Sequence, residues 1–435
     1  DGLNMRILEW LSLDDAARKA ALTRPASGED EAQIKAVRAI LADVKARGDD
    51  AVAEYTERFD GVSAKSFRVS QTEIDAAEAG LSAQDRKAIA MAMSNIEAFH
   101  ALQKPQDIEL ATMPGVMCRR VAKPLSSVGL YIPGGSAPLV STVMMLALPA
   151  RIAGVKRRVV FSPPQADGKI NSTILAVAKL CGATEIYCAG GVQAVAAMAY
   201  GTQSCAPVAK IFGPGNSWVA AAKAQVALPA SGPAIDLPAG PSEAMVIADE
   251  NANPVFVASD LLSQAEHDIE SQVIAVVTSQ TVADNINEAI EAQLADLPRA
   301  EIARQALKAG SLIIATNDDR LDIINTYAPE HLILQTADAA ELAERVDNAG
   351  SIFIGPWTPE SVGDYASGTN HTLPTAGAAR AYSGVNVESF MKFTTLQSLT
   401  PDGLRALGPT VEHLARLESL DAHERAVSLR LESLS

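Results

Sequence analysis

Aromatic residues are scarce in this chain: nine Phe, seven Tyr and three Trp amount to 4% of 435 residues. Ala and Val dominate the apolar set instead, which fits closely packed helices and buried strands better than an aromatic-rich binding surface. Cysteine is equally sparse. Cys118, Cys181, Cys188 and Cys205 form no CxxC pair and no disulfide-like framework, so a reducing cytoplasm is the expected setting. Basic charge falls short as well, with 36 Lys and Arg against 52 Asp and Glu and a net charge of −16. A polyanion would be repelled at long range, so no nucleic acid is expected as a partner. The acidity reads as a solubility device, and it leaves room for a small anionic cofactor held by backbone N–H groups. Long hydrophobic runs are missing too. The most apolar stretch, 140–155, is interrupted by Pro149 and Arg151 and is too short to span a bilayer, so no membrane association is expected. No basic segment followed by an apolar one opens the chain, which predicts no secretory leader; Met5 reads as a candidate natural start.

What is present is ordinary for a globular protein: 48% apolar and 20% charged residues. The length exceeds what one hydrophobic core supports, so two or more domains are expected. One short amphipathic segment ends at Arg24-Pro25. A helix follows, with Ile34, Val37, Leu41 and Val44 at three- and four-residue spacing and Gly48 as its stop. A second long helix is predicted over about 73–102. From Ser127 the pattern turns to short β-rich runs at 128–132, 158–162, 185–190 and 210–213, separated by Ala-rich helical stretches at 141–154, 171–181 and 192–200. A second set of strands is predicted at 244–248, 272–279, 311–316, 331–335 and 351–355. Alternation of this kind predicts βαβ units, hence two α/β domains with open parallel sheets whose ligands sit beyond the carboxyl ends of the strands. After Gly377 the strand signal fades, and 401–435 reads as a helical arm.

Glycine turns follow three of the strands: Pro133-Gly134-Gly135, Gly190-Gly191 and Gly213-Pro214-Gly215-Asn216. Each alone is an ordinary turn; together, at successive strand ends, they point to a phosphate-bearing ligand. None fits G-x-G-x-x-G with a later acidic residue, so a standard Rossmann dinucleotide site is not supported. Within 260–268, Gln264 and His267 stand three apart on one helix face. They are either metal donors or a polar patch on an exposed helix. Glu330 and His331 mark the entry to an apolar strand and form a candidate acid/base pair. Asp364 opens a polar, glycine-containing loop running through Tyr365 to His371, of the kind that lines sites. His423 follows Glu418 by five residues in the arm, whereas His100 and His413 read as structural.

At these residues the chain resembles histidinol dehydrogenases, through blocks at 128–155, 210–223, 235–249, 260–268, 328–332, 362–375 and 420–427. The resemblance covers nearly the whole chain. It implies an α/β fold of two incomplete Rossmann-like open sheets, divided as an N-terminal segment (1–26), a first α/β domain (27–130 with 241–378), a second, NAD-binding domain (131–240) and a helical dimerisation arm (379–435). It implies one zinc ion per site held by Gln264, His267, Asp364 and His423, in a homodimer whose exchanged arm completes the neighbouring site. By the same resemblance Tyr131, Gln193 and Asn216 contact NAD, while Ser242, Gln264, His267, His331, Asp364, Glu418 and His423 contact histidinol. The implied catalytic residues are Glu330 and His331, and the implied reaction is the oxidation of L-histidinol to L-histidine, the end of histidine biosynthesis. Two other readings remain. A cysteine nucleophile would form a thiohemiacetal as in aldehyde dehydrogenases, which needs a thiol of lowered pKa beside the Glu-His pair. A zinc-stabilised binding protein would leave that pair idle.

Overall fold

The computed structural model describes residues 5–24, 31–63, 66–134, 138–238 and 240–434. Residues 1–4, Pro25 and Gly135, all invoked above, lie outside them. Fourteen strands among the described residues form three sheets. The largest is wholly parallel, in the order β1-β11-β10-β9-β12-β13. Its members are β1 (Arg6–Glu9), β9 (Glu243–Ala248), β10 (Gln272–Val277), β11 (Ser311–Ile314), β12 (His331–Gln335) and β13 (Ser351–Ile354). The second sheet, also parallel, runs β6-β5-β4-β7-β8. It consists of β4 (Ser127–Tyr131), β5 (Arg157–Ser162), β6 (Glu185–Cys188), β7 (Lys210–Phe212) and β8 (Ala234–Ile235).

Both sheets follow one plan. Taken in chain order, β4 to β8 lie as 3-2-1-4-5, and so do β9 to β13, with β1 added at an edge. This is the doubly wound order short of its sixth strand, the incomplete Rossmann-like architecture. The apolar runs explain the parallel arrangement. All residues of β9 and β12 are buried, because helices cover each sheet on both faces. Two apolar clusters sandwich the five-stranded sheet and two sandwich the six-stranded one.

The strand bounds agree with the sequence reading to within a residue or two, but five strands are unforeseen, the two-residue edge strand β8 among them. β1 arises from the N-terminal segment, read as merely amphipathic, and pairs with β11. The remaining three form an antiparallel sheet, β14-β3-β2, made of β2 (Ile108–Met113), β3 (Val116–Pro124) and β14 (Met391–Leu399). Strands β2 and β14 are largely exposed and carry no clear alternation, so periodicity is silent there. The single helix expected over 73–102 is two, Gln71–Ala79 and Ala83–Ala101. Ser82 interrupts it by accepting from the Asp85 N–H at 3.1 Å, an N-cap that starts a new helix.

Packing places helices of 31–101 beside the five-stranded sheet. Helices Glu31–Arg47, Gln71–Ala79 and Ala83–Ala101 pack chiefly against helices of the five-stranded sheet. The arm consists of helices Pro401–Leu417 and Asp421–Glu432, which pack on each other. Phe390 anchors its base, stacked on Phe212 at 4.1 Å between ring centroids. No helix among the described residues is long and apolar enough to cross a membrane.

Candidate functional site

The two sheets meet with opposite edges. The glycine turns stand at the carboxyl ends of β4, β6 and β7, as expected for an open sheet. The candidate catalytic residues stand instead at the amino edge of the six-stranded sheet, contrary to the expectation for it. His331 is the first residue of β12, opposite Ala244 of β9. Helix Pro254–Ala265 carries the chain back from the carboxyl end of β9 to the amino end of β10, so its last turn reaches the same edge.

Glu330 and His331 are 6% and 4% exposed, and the backbone of Glu243 holds both. The Glu243 N–H donates to Glu330 Oε2 at 2.8 Å. The Glu243 carbonyl lies 3.0 Å from His331 Nδ1. A carbonyl only accepts, so Nδ1 carries a proton and Nε2 is the basic nitrogen. That Nε2 is buried without a hydrogen-bond partner and lies 3.4 Å from Asp364 Oδ1. Burial opposes charge on the ring, but the Glu330 and Asp364 carboxylates outweigh it and hold the His331 pKa well above 6.5. Burial pushes the Glu330 carboxyl up.

Glu243 is itself pinned. Its buried carboxylate takes both arms of the Arg24 guanidinium, with Nη2 to Oε2 at 2.7 Å, and accepts from the Ala376 N–H at 2.8 Å. Arg24 lies over the Tyr327 ring, 3.8 Å from its centroid. Sequence reasoning missed this clamp, because its members are separated by more than 200 positions.

The metal donors expected from one chain assemble in part. Gln264 is 1% exposed on the last turn of helix Pro254–Ala265, and the His267 N–H bonds its carbonyl at 3.2 Å. Asp364 lies on helix Glu360–Tyr365. Burial lowers the His267 pKa, against the pull of Asp364, and so favours the neutral ring that a metal needs. Burial raises the Asp364 pKa, but His331 and its neighbouring histidines win and keep the carboxyl ionised to lower pH. An amide oxygen, a neutral imidazole and a carboxylate make a donor set suited to a divalent cation. His371 adds a second buried, unpartnered ring nitrogen, and burial lowers its pKa. Glu360, absent from the sequence reading, is 1% exposed and accepts from Ser263 Oγ at 2.8 Å; burial raises its pKa to about 8.

Glu418 and His423 do not join this group. Both are exposed, Glu418 as the C-cap of helix Pro401–Leu417 and His423 on helix Asp421–Glu432. Among the described residues of this chain, no three His, Cys, Asp or Glu side chains converge as a metal-holding group. Ser242 is half-buried just before β9, its carbonyl accepting from the Gln272 N–H at 2.8 Å.

A cavity of about 680 Å³ joins the two edges, lined by Tyr131, Gln193, Asn216 and Trp218 on one side and His267 and Tyr365 on the other. Gln193 is 1% exposed, and its Oε1 is buried with no partner. The Tyr131 hydroxyl accepts from the Gly191 N–H at 3.1 Å. Asn216 caps helix Ser217–Ala227 through Oδ1, accepting from the Val219 N–H at 3.1 Å. The Gly213 turn is held from below. Lys223 Nζ donates to the Gly213 carbonyl and pairs with Asp236, whose Oδ2 accepts from the Gly213 N–H at 2.8 Å. Gly213 has φ +128°, and a Cβ there would stand 2.2 Å from the Tyr131 carbonyl, so only glycine fits.

None of the thiols suits nucleophilic catalysis. Burial pushes Cys181 and Cys188 up to about 12 and raises Cys205, the reverse of activation. Cys118 sits in β3, outside both parallel sheets.

A family pattern described as histidinol dehydrogenase matches residues 22–431. The chain is 52% identical over 432 residues to the histidinol dehydrogenase of Vibrio parahaemolyticus, with 99% of each chain covered. It is 53% identical over 431 residues to that of Photobacterium profundum, covering 99% of this chain and 96% of the relative. It superposes on the crystal structure of histidinol dehydrogenase from Elizabethkingia anophelis with a TM-score of 0.93 at 46% identity, covering 99% and 98% of the two chains.

Asp260, beneath the site, yields a test of its electrostatics. Its Oδ2 accepts from Gln335 Nε2 at 2.8 Å, and burial raises its pKa from 3.8 to about 6. A carboxyl whose pKa rises on folding favours the folded state while protonated, and that contribution is lost as pH climbs from the unfolded value towards the folded one. Asp260→Asn removes this dependence while keeping an acceptor for Gln335. Relative to wild type, the variant is therefore expected to gain up to about 3 kcal/mol at neutral pH compared with about pH 4, measured by urea unfolding. An equal stability difference at both pH values would contradict the assigned shift.

Proposed function

This chain belongs to the histidinol dehydrogenase family, and on that premise we propose that it oxidises L-histidinol through L-histidinal to L-histidine, reducing two NAD in a zinc-dependent site. The observation that carries the reading is the buried, unpartnered Nε2 of His331, its tautomer set by the Glu243 carbonyl. A buried ring nitrogen without a partner can take a proton, as a general base must.

In the first oxidation His331 Nε2 takes the hydroxyl proton of histidinol while the carbinol carbon gives its hydride to the nicotinamide. The nearby carboxylates raise the proton affinity of that nitrogen, the direction that abstraction from an alcohol requires. Water then adds to the aldehyde carbon: Glu330, 3.6 Å from His331 Nδ1, accepts a proton from the water while protonated His331 returns its proton to the carbonyl oxygen, which restores the base. The resulting hydrate loses a second hydride to a second NAD as His331 again accepts a proton; the carboxylic acid so formed gives up its remaining proton to become the carboxylate of histidine. Carrying out both steps at one site between the two sheet edges would shield the reactive aldehyde between them.

The donor chemistry of Gln264, His267 and Asp364 fits a zinc ion, and His423 of the partner subunit would complete the set. When bound there, zinc supplies an anchor for the imidazole and amino nitrogens of histidinol rather than activation of the reacting oxygen. Ser242 and the partner subunit's Glu418 would contact the same substrate. NAD fits the cavity for three reasons: the orphaned Gln193 oxygen, the Tyr131 hydroxyl and the glycine turn before Asn216. The exposure of His423 on an arm away from the other donors supports a homodimer with exchanged arms.

The two catalytic residues are expected to separate kinetically. His331→Asn should depress oxidation of both histidinol and added histidinal, each by ~10²–10⁴-fold. Glu330→Gln should slow histidinal oxidation more than the first step. Equal, mild effects on both half-reactions would show that the roles are misassigned.

The shared site is tested by complementation. His267→Asn and His423→Asn should each be nearly inactive alone. A hybrid dimer gathers both lesions in one site and leaves the other intact, so random mixing should restore roughly a quarter of wild-type activity. Purified hybrids without activity would refute the exchanged arm.

A further inference from the structure

Strand β5 ends in Ser162, followed by Pro163 and Pro164. In a complete dinucleotide-binding unit the second strand ends near a carboxylate that receives the adenosine ribose hydroxyl. Here that strand supplies none. The carboxylates lining the cavity are Asp60, Glu266 and Asp268. The last two flank His267 and belong to the end where chemistry occurs. Asp60 comes from elsewhere: it ends helix Asp49–Asp60, whose layer packs on the five-stranded sheet and adds nothing to the His331 cluster.

Its environment is unusual for a carboxylate. Asp60 Oδ2 is buried with no hydrogen-bond partner. Burial raises its pKa, and no cation among the described residues offsets this. Its charge is felt both by the Tyr131 hydroxyl at the end of β4 and by the Cys188 thiol at the end of β6. It therefore hangs over the carboxyl edge on the side of β4, β5 and β6, where the missing acid would stand. A buried acceptor without a donor is costly, and a ligand hydroxyl removes that cost. Arg299, the single Arg or Lys among the described lining residues, is engaged with the Glu266 and His267 carbonyls at 2.9 and 3.2 Å.

We infer that Asp60 accepts the 2′-hydroxyl of the adenosine ribose and so selects NAD over its 2′-phosphorylated form, a role that rests on the assignment of this cavity to NAD. A 2′-phosphate would face an uncompensated carboxylate, a repulsive element as well as a lost hydrogen bond.

The test compares NAD, NADP and NAD lacking the adenosine 2′-hydroxyl in the whole enzyme with histidinol. Wild type should prefer NAD to the deoxy form by about tenfold or more. Asp60→Ala should raise KM for NAD by a similar factor, erase the preference over the deoxy form and improve NADP relative to NAD. Asp60→Asn, nearly isosteric, should keep the preference over the deoxy form but lose discrimination against NADP. Gln193→Ala separates the two levels of the argument. If Gln193→Ala raises KM for NAD while both Asp60 variants keep wild-type ratios, the role of Asp60 is overturned and the cavity stands. If neither Gln193→Ala nor Asp60→Ala changes KM for NAD, the cavity is not the NAD site and both readings fall.

Discussion

The bond between β9 and β12 at Glu243 sets the chemistry of the site. One residue uses its N–H to hold Glu330, its carbonyl to hold His331, and its carboxylate to receive Arg24. The second contact decides which histidine nitrogen is basic, and the first fixes Glu330 beside it. The third draws the N-terminal segment onto the amino edge of the sheet, where it also meets the carbonyl of Tyr327 at 2.9 Å. A carboxylate buried to 1% exposure is tolerable only with such a partner. An acid/base pair placed on paired strands, rather than in a loop, is held by the ladder itself.

Around that bond, the two sheets divide the work. The five-stranded sheet offers its carboxyl edge, where glycine turns and helix N-termini can approach phosphates. The six-stranded sheet offers its amino edge, where returning helices bring Gln264 and His267 beside His331. Apposing unlike edges brings residues of both sheets to one cavity. The His100 ring helps tie the halves together, with Nδ1 on the Ile96 carbonyl at 2.8 Å and Nε2 3.3 Å from the Asn370 amide of the polar loop. That is the structural part expected of it.

Much of this was legible in the residues, for identifiable reasons. Runs such as Ala244 to Ala248 and His331 to Gln335 are apolar throughout because both faces are covered, and they declare themselves without alternation. The Glu330-His331 dipeptide stood out because two ionisable groups open such a run. The antiparallel sheet was hidden since its strands are mostly exposed. The amino-edge location of Glu330 and His331 was hidden because strand order is a long-range property. Asp60, Glu360 and the Arg24–Glu243 clamp gave no local signal: each matters through partners or cavities assembled from distant segments.

On the proposed mechanism one site performs both oxidations on the same bound molecule. Its most direct test is a stoichiometric count with limiting L-histidinol, excess NAD and an aldehyde-trapping amine in solution. Two NADH and one histidine are expected for each histidinol consumed, with no trapped aldehyde and no turnover after the metal is stripped by a chelator. One NADH per histidinol, with histidinal recovered on the trap, would contradict it.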